Sequence, residues 1–252
     1  MLLAVDVGNT GTVIGVIEGD EILGRWEVMT SDRTSDEWNL VIRSMLRTSG
    51  LVPTDAAMAS VVPEATRVLR TALPDVCGSE PVVVGPGVKT GMAIDLDNAR
   101  EVGADRVAGA VGAIDRYGAP VITVDFGTAT TIDLIDASAH FRGGAISVGV
   151  KIAAEALVRS TSALRRVELS APGGPVGRST VEAVQSGTVF GFAGLVDGLV
   201  GRFVADSANE DPPRVVATGG FARLVAPHCE TVDVIDEDLT LWGLALIHRR
   251  NA

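Results

Sequence analysis

The sequence contains few of the residues that metal-binding, hydrolytic and nucleic-acid-binding proteins depend on. It has two cysteines and three histidines in 252 residues. Cys77 and Cys229 lack metal-ligand spacing, so we interpret them as free structural thiols. The histidines are isolated in the sequence, which argues against a zinc site and a Ser/His/Asp triad. The net charge of −11 argues against broad binding to nucleic acid, although it leaves a single nucleotide possible.

Aromatic residues and targeting segments are also scarce. Aromatics make up 4% of the chain against 46% hydrophobic residues, so the core must consist mainly of Val, Ala, Leu and Ile. No basic segment of a signal peptide precedes Asp6. We expect no apolar stretch of transmembrane length, and therefore a cytoplasmic protein with no membrane partner.

Glycine, in contrast, is abundant, with 29 residues, and two glycine segments resemble each other. The first reads DVGNT from Asp6 and the second DFGTATT from Asp125. Each follows an apolar run, and apolar alternation resumes after each. This pattern is typical of a β-hairpin in which the first strand ends in an acid.

The two hairpins have the chemistry of a phosphate site. Glycine lets the backbone approach an anion, hydroxyl and amide side chains add donors, and an aspartate can hold hydrated Mg²⁺. A tight hairpin turn without function explains either segment alone, but the repetition favours phosphate binding. The candidate residues are Asp6, Gly8, Asn9, Thr10, Asp125, Gly127, Thr128 and Thr131.

Three further segments carry candidate residues. In Gly103–Arg106, Asp105 is either a general base beside an anion-binding Arg106, or half of a solvated ion pair at a helix start. The segment around Gly144 lines an acceptor pocket, covers phosphates, or only joins a strand to a helix. Gly219 and Gly220, between a strand and a helix, fit contact with adenine or phosphate.

The order of predicted elements suggests a duplicated plan. Both halves read as three strands followed by alternating helices and strands. We therefore predict an α/β protein with domains at 1–117 and 118–252, packed around a cleft. Predicted helices in the second half cover about 150–164 and 179–205.

The motifs DVGNT, EVGADR, VDFGTATT, GGAI, STVEAVQSG and ATGG, in this order, resemble those of the type III pantothenate kinases. This resemblance implies the acetate-kinase/Hsp70/actin superfamily, with two ribonuclease-H-like (actin-like ATPase) domains and a nucleotide cleft between them. It implies ATP-dependent phosphorylation of the pantothenate hydroxyl to 4′-phosphopantothenate, the first step of coenzyme A biosynthesis. It also implies Mg²⁺, a monovalent cation (K⁺ or NH₄⁺) and a homodimer.

The resemblance also implies roles for residues of this sequence. Asp105 is the expected catalytic base, and Gly103, Arg106 and Thr180 are expected at the acceptor, where Gly144 is a further candidate. Asp6 and Asp125 are the expected cation-binding acids. The residues expected at the nucleotide are Asp6, Gly8, Asn9, Thr10, Gly127, Thr128, Thr131, Gly219 and Gly220.

The sequence departs from the family in acceptor-side segments. Ala93 stands at an asparagine position, Leu96 at a tyrosine position, and Asp95 where a basic residue is common. Asp95 can repel a carboxylate acceptor if its side chain points into the pocket. Two alternatives to pantothenate phosphorylation therefore stay open, namely another small hydroxylated acceptor or a non-catalytic nucleotide-binding protein. The remaining departures are Ala99, Val148 and Ser179.

Overall fold

The computed structural model describes residues 1–160, 167–206 and 211–252. They form two compact units. Unit 1 consists of Met1–Ala93, Asp97–Asp115 and Asp238–Ala252, and unit 2 of Ile94–Leu96 and Arg116–Glu237. This division places the C-terminal segment in unit 1, whereas the sequence-based limits of 1–117 and 118–252 place it in the second domain.

Unit 1 contains a five-stranded sheet. Its strands are β1 (Leu2–Val7), β2 (Gly11–Glu18), β3 (Glu21–Met29), β4 (Asp55–Ser60) and β5 (Val82–Val83). Their order in the sheet is β3-β2-β1-β4-β5. β1 pairs antiparallel with β2 on one side and parallel with β4 on the other. β1, β2 and β3 confirm the three strands predicted at the start of the first half.

Helix α1 of unit 1 begins and ends at residues suited to capping. Thr34 is the N-cap residue of α1, and its hydroxyl accepts a hydrogen bond from the Glu37 amide at 3.3 Å. In return, the Glu37 carboxylate accepts a hydrogen bond from the Thr34 amide at 2.7 Å, which completes a capping box. Gly50 ends the helix in the left-handed conformation, with φ 72°. The helices are α1 (Ser35–Ser49), α2 (Pro63–Cys77), α3 (Ala104–Tyr117) and, at the C-terminus, α7 (Leu239–Asn251).

Helix α7 packs closely on α3. A Cβ atom at Gly243 would overlap the Ala108 carbonyl oxygen and lie 2.6 Å from its carbonyl carbon, so only glycine fits there. The Trp242 indole N–H donates to Asp115 at 2.8 Å across the same pair of helices. These contacts explain why α7 belongs to unit 1 although it lies at the end of the chain.

Unit 2 repeats the plan of unit 1 in a six-stranded sheet. The strands are β6 (Ala93–Ile94), β7 (Val121–Phe126), β8 (Ala129–Ile135), β9 (His140–Val148), β10 (Arg214–Thr218) and β11 (Val234–Ile235). Their order is β11-β10-β7-β8-β9-β6. β7 pairs antiparallel with β8 and parallel with β10, as β1 does with β2 and β4. The predicted α/β fold with a repeated plan is confirmed.

The helices of unit 2 pack on this sheet. They are α4 (Val150–Arg159), α5 (Thr180–Asp206) and the short α6 (Ala222–Val225). The predicted helix 150–164 is confirmed up to Arg159, and its last residues, from 161 on, lie outside the described residues. The core of the unit includes Ile122, Phe126 and Ile132 from the sheet and Phe192 and Val196 from α5.

Helix α5 is the one described helix that is long and apolar enough to cross a membrane by length and composition. The prediction that no apolar stretch reaches that length is therefore wrong for this segment. A single such helix is weak evidence for a membrane protein, because core helices pass the same test. Here Val189, Phe192 and Val196 of α5 are buried.

Candidate active site

The first acidic-glycine turn joins β1 to β2 in unit 1. Asp6 lies one residue before the end of β1, half-buried, opposite Val13 of β2 and Ala59 of β4. The Gly8 amide donates to the Gly11 carbonyl at 3.0 Å and closes the turn. Asn9 and Thr10 are exposed at its tip. The turn therefore presents its tip, with an amide and a hydroxyl side chain, to solvent beside a strand-end carboxylate.

Two threonines that the sequence analysis did not single out support this turn from behind. The Thr30 hydroxyl donates to the Gly8 carbonyl at 2.7 Å, and the Thr30 amide donates to the Thr10 carbonyl at 2.9 Å. The Thr12 hydroxyl, in a fully buried residue, lies 2.8 Å from the Thr30 hydroxyl. Thr12 lies in the motif-bearing hairpin, but Thr30 follows β3, and only the paired register reveals the contact.

Asp105 lies in the first turn of α3 in unit 1. Its Oδ1 atom accepts a hydrogen bond from the Arg106 amide at 2.8 Å. A Cβ atom at Gly103 would overlap the same Asp105 oxygen, so glycine leaves room for the carboxylate there. The positive end of the helix dipole stabilises a carboxylate in this place. The half-buried Asp105 is therefore held in one orientation by its own helix start.

The start of α3 and the first turn lie at the same end of the unit 1 sheet. The Val61 amide donates to the carbonyl of Val7 at 3.1 Å, directly before the turn. A Cβ atom at Gly103 would lie 3.5 Å from the Val61 side chain. Val61 thus contacts both elements, and the structure brings the predicted base and the predicted phosphate turn to one edge.

The second acidic-glycine turn joins β7 to β8 in unit 2. Asp125 is half-buried near the end of β7, opposite Thr131 of β8 and Thr218 of β10. The Gly127 amide donates to the Ala129 carbonyl at 3.1 Å. A Cβ atom at Gly149 would lie 2.6 Å from the Gly127 carbonyl oxygen and would overlap that of Thr128. This turn is therefore held by close main-chain packing of another glycine.

The Gly219 segment lies against this second turn. Gly219 has a φ of 89°, and a Cβ atom there would overlap Asp125 Oδ1 and lie 2.7 Å from the Phe126 carbonyl carbon. The Phe221 amide donates to the Phe126 carbonyl at 3.2 Å. Gly220 has open space around its Cβ position. The structure thus brings together Asp125, Gly127 and Gly219, which the sequence analysis proposed separately.

Gly144 and Thr180 differ in how the structure places them. A Cβ atom at Gly144 would overlap the Ile132 carbonyl oxygen and lie 2.9 Å from Asp133 Cα. Asp133, which the sequence analysis did not name, is a buried carboxylate at 1% exposure. Thr180 is the first residue of α5 and is exposed. Among the described residues, no hydrogen bond joins Thr180 to another candidate.

The departing residues Asp95 and Leu96 lie beside β9. The Asp95 carboxylate forms an ion pair with Arg142, whose guanidinium also lies 3.8 Å from Asp136. The Asp95 amide donates to the Phe141 carbonyl at 3.0 Å. A Cβ atom at Gly143 would lie 3.0 Å from Leu96 Cδ2. The negative charge of Asp95 is therefore compensated within unit 2.

A cavity of about 710 Å³ lies in unit 2 beside the residue that follows Gly219 and Gly220. Its size falls in the ordinary range for small-molecule sites. Its surface is mainly aliphatic and aromatic, with charged side chains from α4. The lining residues that characterise it are Lys151, Glu155, Val158, Leu169, Val184 and Phe221.

The described residues form neither a metal-binding cluster nor a reactive thiol site. Residues 1–160, 167–206 and 211–252 contain no cluster of three or more His, Cys, Asp or Glu side chains suited to a metal ion. Burial raises the pKa of the Cys77 thiol to about 11 and that of the Cys229 thiol to about 12. Both thiols are therefore protonated at neutral pH and poor nucleophiles, as their interpretation as structural thiols requires.

Comparison with known proteins places these features in a family. A model of the family "Type III pantothenate kinase" matches residues 2–202. Curated type III pantothenate kinases from Anaeromyxobacter dehalogenans (strain 2CP-C) and Geobacter sulfurreducens are 46% and 44% identical over 255 aligned positions. The alignments cover 100% of this chain and 100% and 99%, respectively, of those proteins.

A solved structure shares the fold at much lower identity. Component A of (R)-2-hydroxyglutaryl-CoA dehydratase from Acidaminococcus fermentans matches with a TM-score of 0.60 and 14% identity, over 100% of this chain and 99% of that one. Such a match concerns the fold alone, which is the two-sheet, ribonuclease-H-like architecture of the actin-like ATPases. The sequence relatives and the family model carry the further assignment: this chain belongs to the type III pantothenate kinases.

Proposed function

We propose that this protein transfers the γ-phosphoryl group of ATP to the primary hydroxyl of pantothenate. The products are ADP and 4′-phosphopantothenate, the first intermediate on the route to coenzyme A. The single observation that carries the proposal is full-length identity of 44–46% to type III pantothenate kinases, in a chain that keeps both acidic-glycine turns and Asp105. The alternative acceptor was suggested by the negative charge of Asp95, which can repel a carboxylate. Because Asp95 forms an ion pair with Arg142, this argument against pantothenate is weaker.

Asp105 acts as the general base in this proposal. Phosphoryl transfer requires positioning and a proton acceptor more than covalent catalysis. As the acceptor oxygen attacks the γ-phosphorus, Asp105 takes the hydroxyl proton and the bond to the ADP oxygen breaks. The contacts that hold the Asp105 carboxylate at the start of α3 support this role. Gly103, Arg106, Gly144 and Thr180 are the proposed acceptor-side residues.

The two turns bind the phosphates in this proposal. Asn9 and Thr10 of the first turn and Gly127, Thr128 and Thr131 of the second supply N–H and hydroxyl donors. Mg²⁺ commonly uses one or two protein carboxylates together with phosphate oxygens and water. The half-buried carboxylates of Asp6 and Asp125, each near a strand end beside a turn, fit that donor set. When bound, Mg²⁺ and a monovalent cation near Asp125 would neutralise part of the negative charge of the phosphates.

The nucleoside part of ATP is proposed to bind in unit 2. Gly219 packs on Asp125, and Phe221 lines the neighbouring cavity. An aromatic ring and aliphatic side chains suit a flat base, and Lys151 adds a positive charge. Gly220, with open space at its Cβ position, allows a base to lie against the backbone.

A homodimer and a cytoplasmic location complete the proposal. Helix α5 exposes glycines at positions 187, 191, 194 and 201, all with open space around their Cβ positions. The alternating spacing of four and three residues between the first three places them on one helix face. Such a face allows close approach of a second helix, which supports self-association. The acidic charge of −11 supports the absence of a nucleic-acid partner.

The test is ADP release from ATP and Mg²⁺ in the presence of K⁺, with and without pantothenate. We expect pantothenate-dependent release, and no release with an acceptor that lacks the primary hydroxyl. Binding of ATP without release for any hydroxylated acceptor would favour a non-catalytic protein. Release that requires a different alcohol would replace pantothenate as the acceptor.

A further inference from the structure

The first turn in unit 1 is held by one residue at two points. Thr30 donates to the Gly8 carbonyl through its hydroxyl, at 2.7 Å, and to the Thr10 carbonyl through its amide, at 2.9 Å. These carbonyls lie before and after the pair Asn9 and Thr10, which is exposed at the tip of the turn. Thr30 therefore fixes both peptide units on either side of the tip.

The number of hydroxyl hydrogens determines which threonine donates in the hydrogen bonds next to the turn. A threonine hydroxyl has one hydrogen to donate, and that of Thr30 goes to the Gly8 carbonyl. In the contact of 2.8 Å between the two hydroxyls, Thr12 must therefore donate to Thr30. The result is a directed chain from Thr12 through Thr30 to the Gly8 carbonyl. Each donor in such a chain polarises the next.

The orientation of the Gly8 carbonyl sets the orientation of the next amide. The peptide bond between Gly8 and Asn9 is trans, so its C=O and N–H groups point in opposite directions. Because Thr30 draws the carbonyl toward itself, the Asn9 N–H points away from Thr30, to the other side of the turn. We infer that Thr30, supported by Thr12, is a positioning residue that orients the Asn9 amide toward the ATP phosphates. This inference rests on the proposed role of the turn in nucleotide binding.

The experiment compares hydroxyl deletion with hydroxyl retention at one position. Thr30→Val keeps the shape of the side chain and removes the donor, whereas Thr30→Ser keeps the donor. Thr48→Val is the matched control, because within the described ranges the exposed Thr48 hydroxyl bonds only to the Ser44 carbonyl of its own helix. The dissociation constant of ATP is measured by calorimetry without acceptor, and the KM of pantothenate is measured separately. Hydrogen exchange over residues 8–11 reports the turn itself.

We expect Thr30→Val to weaken ATP binding by roughly three- to tenfold, the usual worth of one hydrogen bond. Exchange over residues 8–11 should accelerate, while the KM of pantothenate stays within about twofold. Thr30→Ser should restore ATP binding, and Thr12→Val should fall between wild type and Thr30→Val. If Thr30→Val fails to fold, Thr12→Val and Thr30→Ser provide the comparison.

Unchanged ATP affinity in Thr30→Val would overturn the inference, and so would an equal loss in Thr30→Ser. A wild-type protein that binds ATP but does not phosphorylate pantothenate would overturn the proposed acceptor alone, because these affinities are measured without acceptor. A wild-type protein that binds no nucleotide would overturn both.

Discussion

The two acidic-glycine turns are alike in sequence but are held in different ways. In unit 1, the turn after Asp6 is held by hydroxyl groups, with Thr12 and Thr30 hydrogen-bonded behind the Gly8 carbonyl. In unit 2, the turn after Asp125 is held by main-chain contacts that only Gly149 and Gly219 permit. The same motif is therefore stabilised by different contacts in the two units. Loss of a hydroxyl should disturb the turn in unit 1, whereas a larger side chain in place of glycine should disturb the turn in unit 2.

The units also differ in the chemistry that surrounds their turns. Unit 1 carries Asp105 at the start of α3, at the same end of the sheet as its turn. Unit 2 carries the Gly219 segment and a cavity beside Phe221. We therefore expect substitutions near the start of α3 in unit 1 to slow the chemical step, and substitutions in the Gly219 segment of unit 2 to weaken nucleotide binding and stability.

The largest expected effect belongs to Asp105. Asp105→Asn removes the proton acceptor and should lower kcat by roughly 10²- to 10⁴-fold, the usual range for a general base. The dissociation constant of ATP should stay close to that of wild type. Steady-state kinetics and calorimetry measure the two quantities. Asp36→Asn is the matched control, because Asp36 lies in the first turn of α1 and is exposed. Wild-type turnover in Asp105→Asn would remove this residue from the mechanism.

A large effect on both stability and binding is expected at Gly219. Gly219→Ala places a Cβ atom against Asp125 and Phe126 at a φ of 89°, where L-residues are strained. The free energy of unfolding should fall by roughly 1–3 kcal/mol, and ATP binding should weaken because Asp125 is displaced. Chemical denaturation and calorimetry measure both effects.

Gly220→Ala is the control for this substitution, because its Cβ position is open. It should leave the free energy of unfolding within about 1 kcal/mol of wild type. Equal stability losses in the two variants would contradict the argument that contact with the second turn makes Gly219 necessary.

Much of this comparison could be predicted from the sequence, because strand-turn-strand patterns are local. The acid-glycine spacing located both turns, apolar runs located β1 and β7, and apolar alternation located β2 and β8. The support behind the turns could not be predicted, because it depends on register between distant strands. Thr30 carries no motif, and its role appears only once β3 pairs with β2.

The packing of the C-terminal helix and the ion pair of Asp95 also could not be predicted from local sequence patterns. Helix α7 was placed with the second half, because nothing in Leu239–Asn251 encodes its packing on Ala108 of α3. Asp95 was interpreted as a possible repulsive charge, because its partner Arg142 is distant in the sequence. Two-residue strands such as β6 and β11 are too short for periodicity to reveal.

A smaller effect is expected from the ion pair on the acceptor side. Arg142→Gln leaves the Asp95 charge without its compensation and should raise the KM of pantothenate, a carboxylate, by about two- to threefold at low salt. Added salt should reduce the effect by screening. The neutral analogue pantothenol should show little change in KM.

The double variant Asp95→Asn/Arg142→Gln is the control, because it removes the negative charge of Asp95 together with the positive charge of Arg142. It should return the KM of pantothenate to that of wild type. An equal rise in KM for pantothenate and pantothenol would show that Arg142 acts through structure rather than through charge.

The smallest expected signal comes from the thiols, one in each unit. With pKa values raised to about 11 for Cys77 and about 12 for Cys229, both should react slowly with a thiol reagent at pH 8. Gly219→Ala should accelerate labelling of Cys229 in unit 2 more than that of Cys77 in unit 1. Mass spectrometry of the labelled peptides resolves the two sites. Equal acceleration at both would indicate that the substitution loosens the whole protein.

The central claim, phosphoryl transfer to pantothenate with Asp105 as base, is tested most directly by identifying the product. Purified wild-type protein and Asp105→Asn are incubated with ATP, Mg²⁺, K⁺ and pantothenate, and phosphopantothenate and ADP are quantified by mass spectrometry. We predict equal amounts of the two products from wild type and almost none from the variant in the same time. ADP without phosphopantothenate, or equal product from both proteins, would contradict the account.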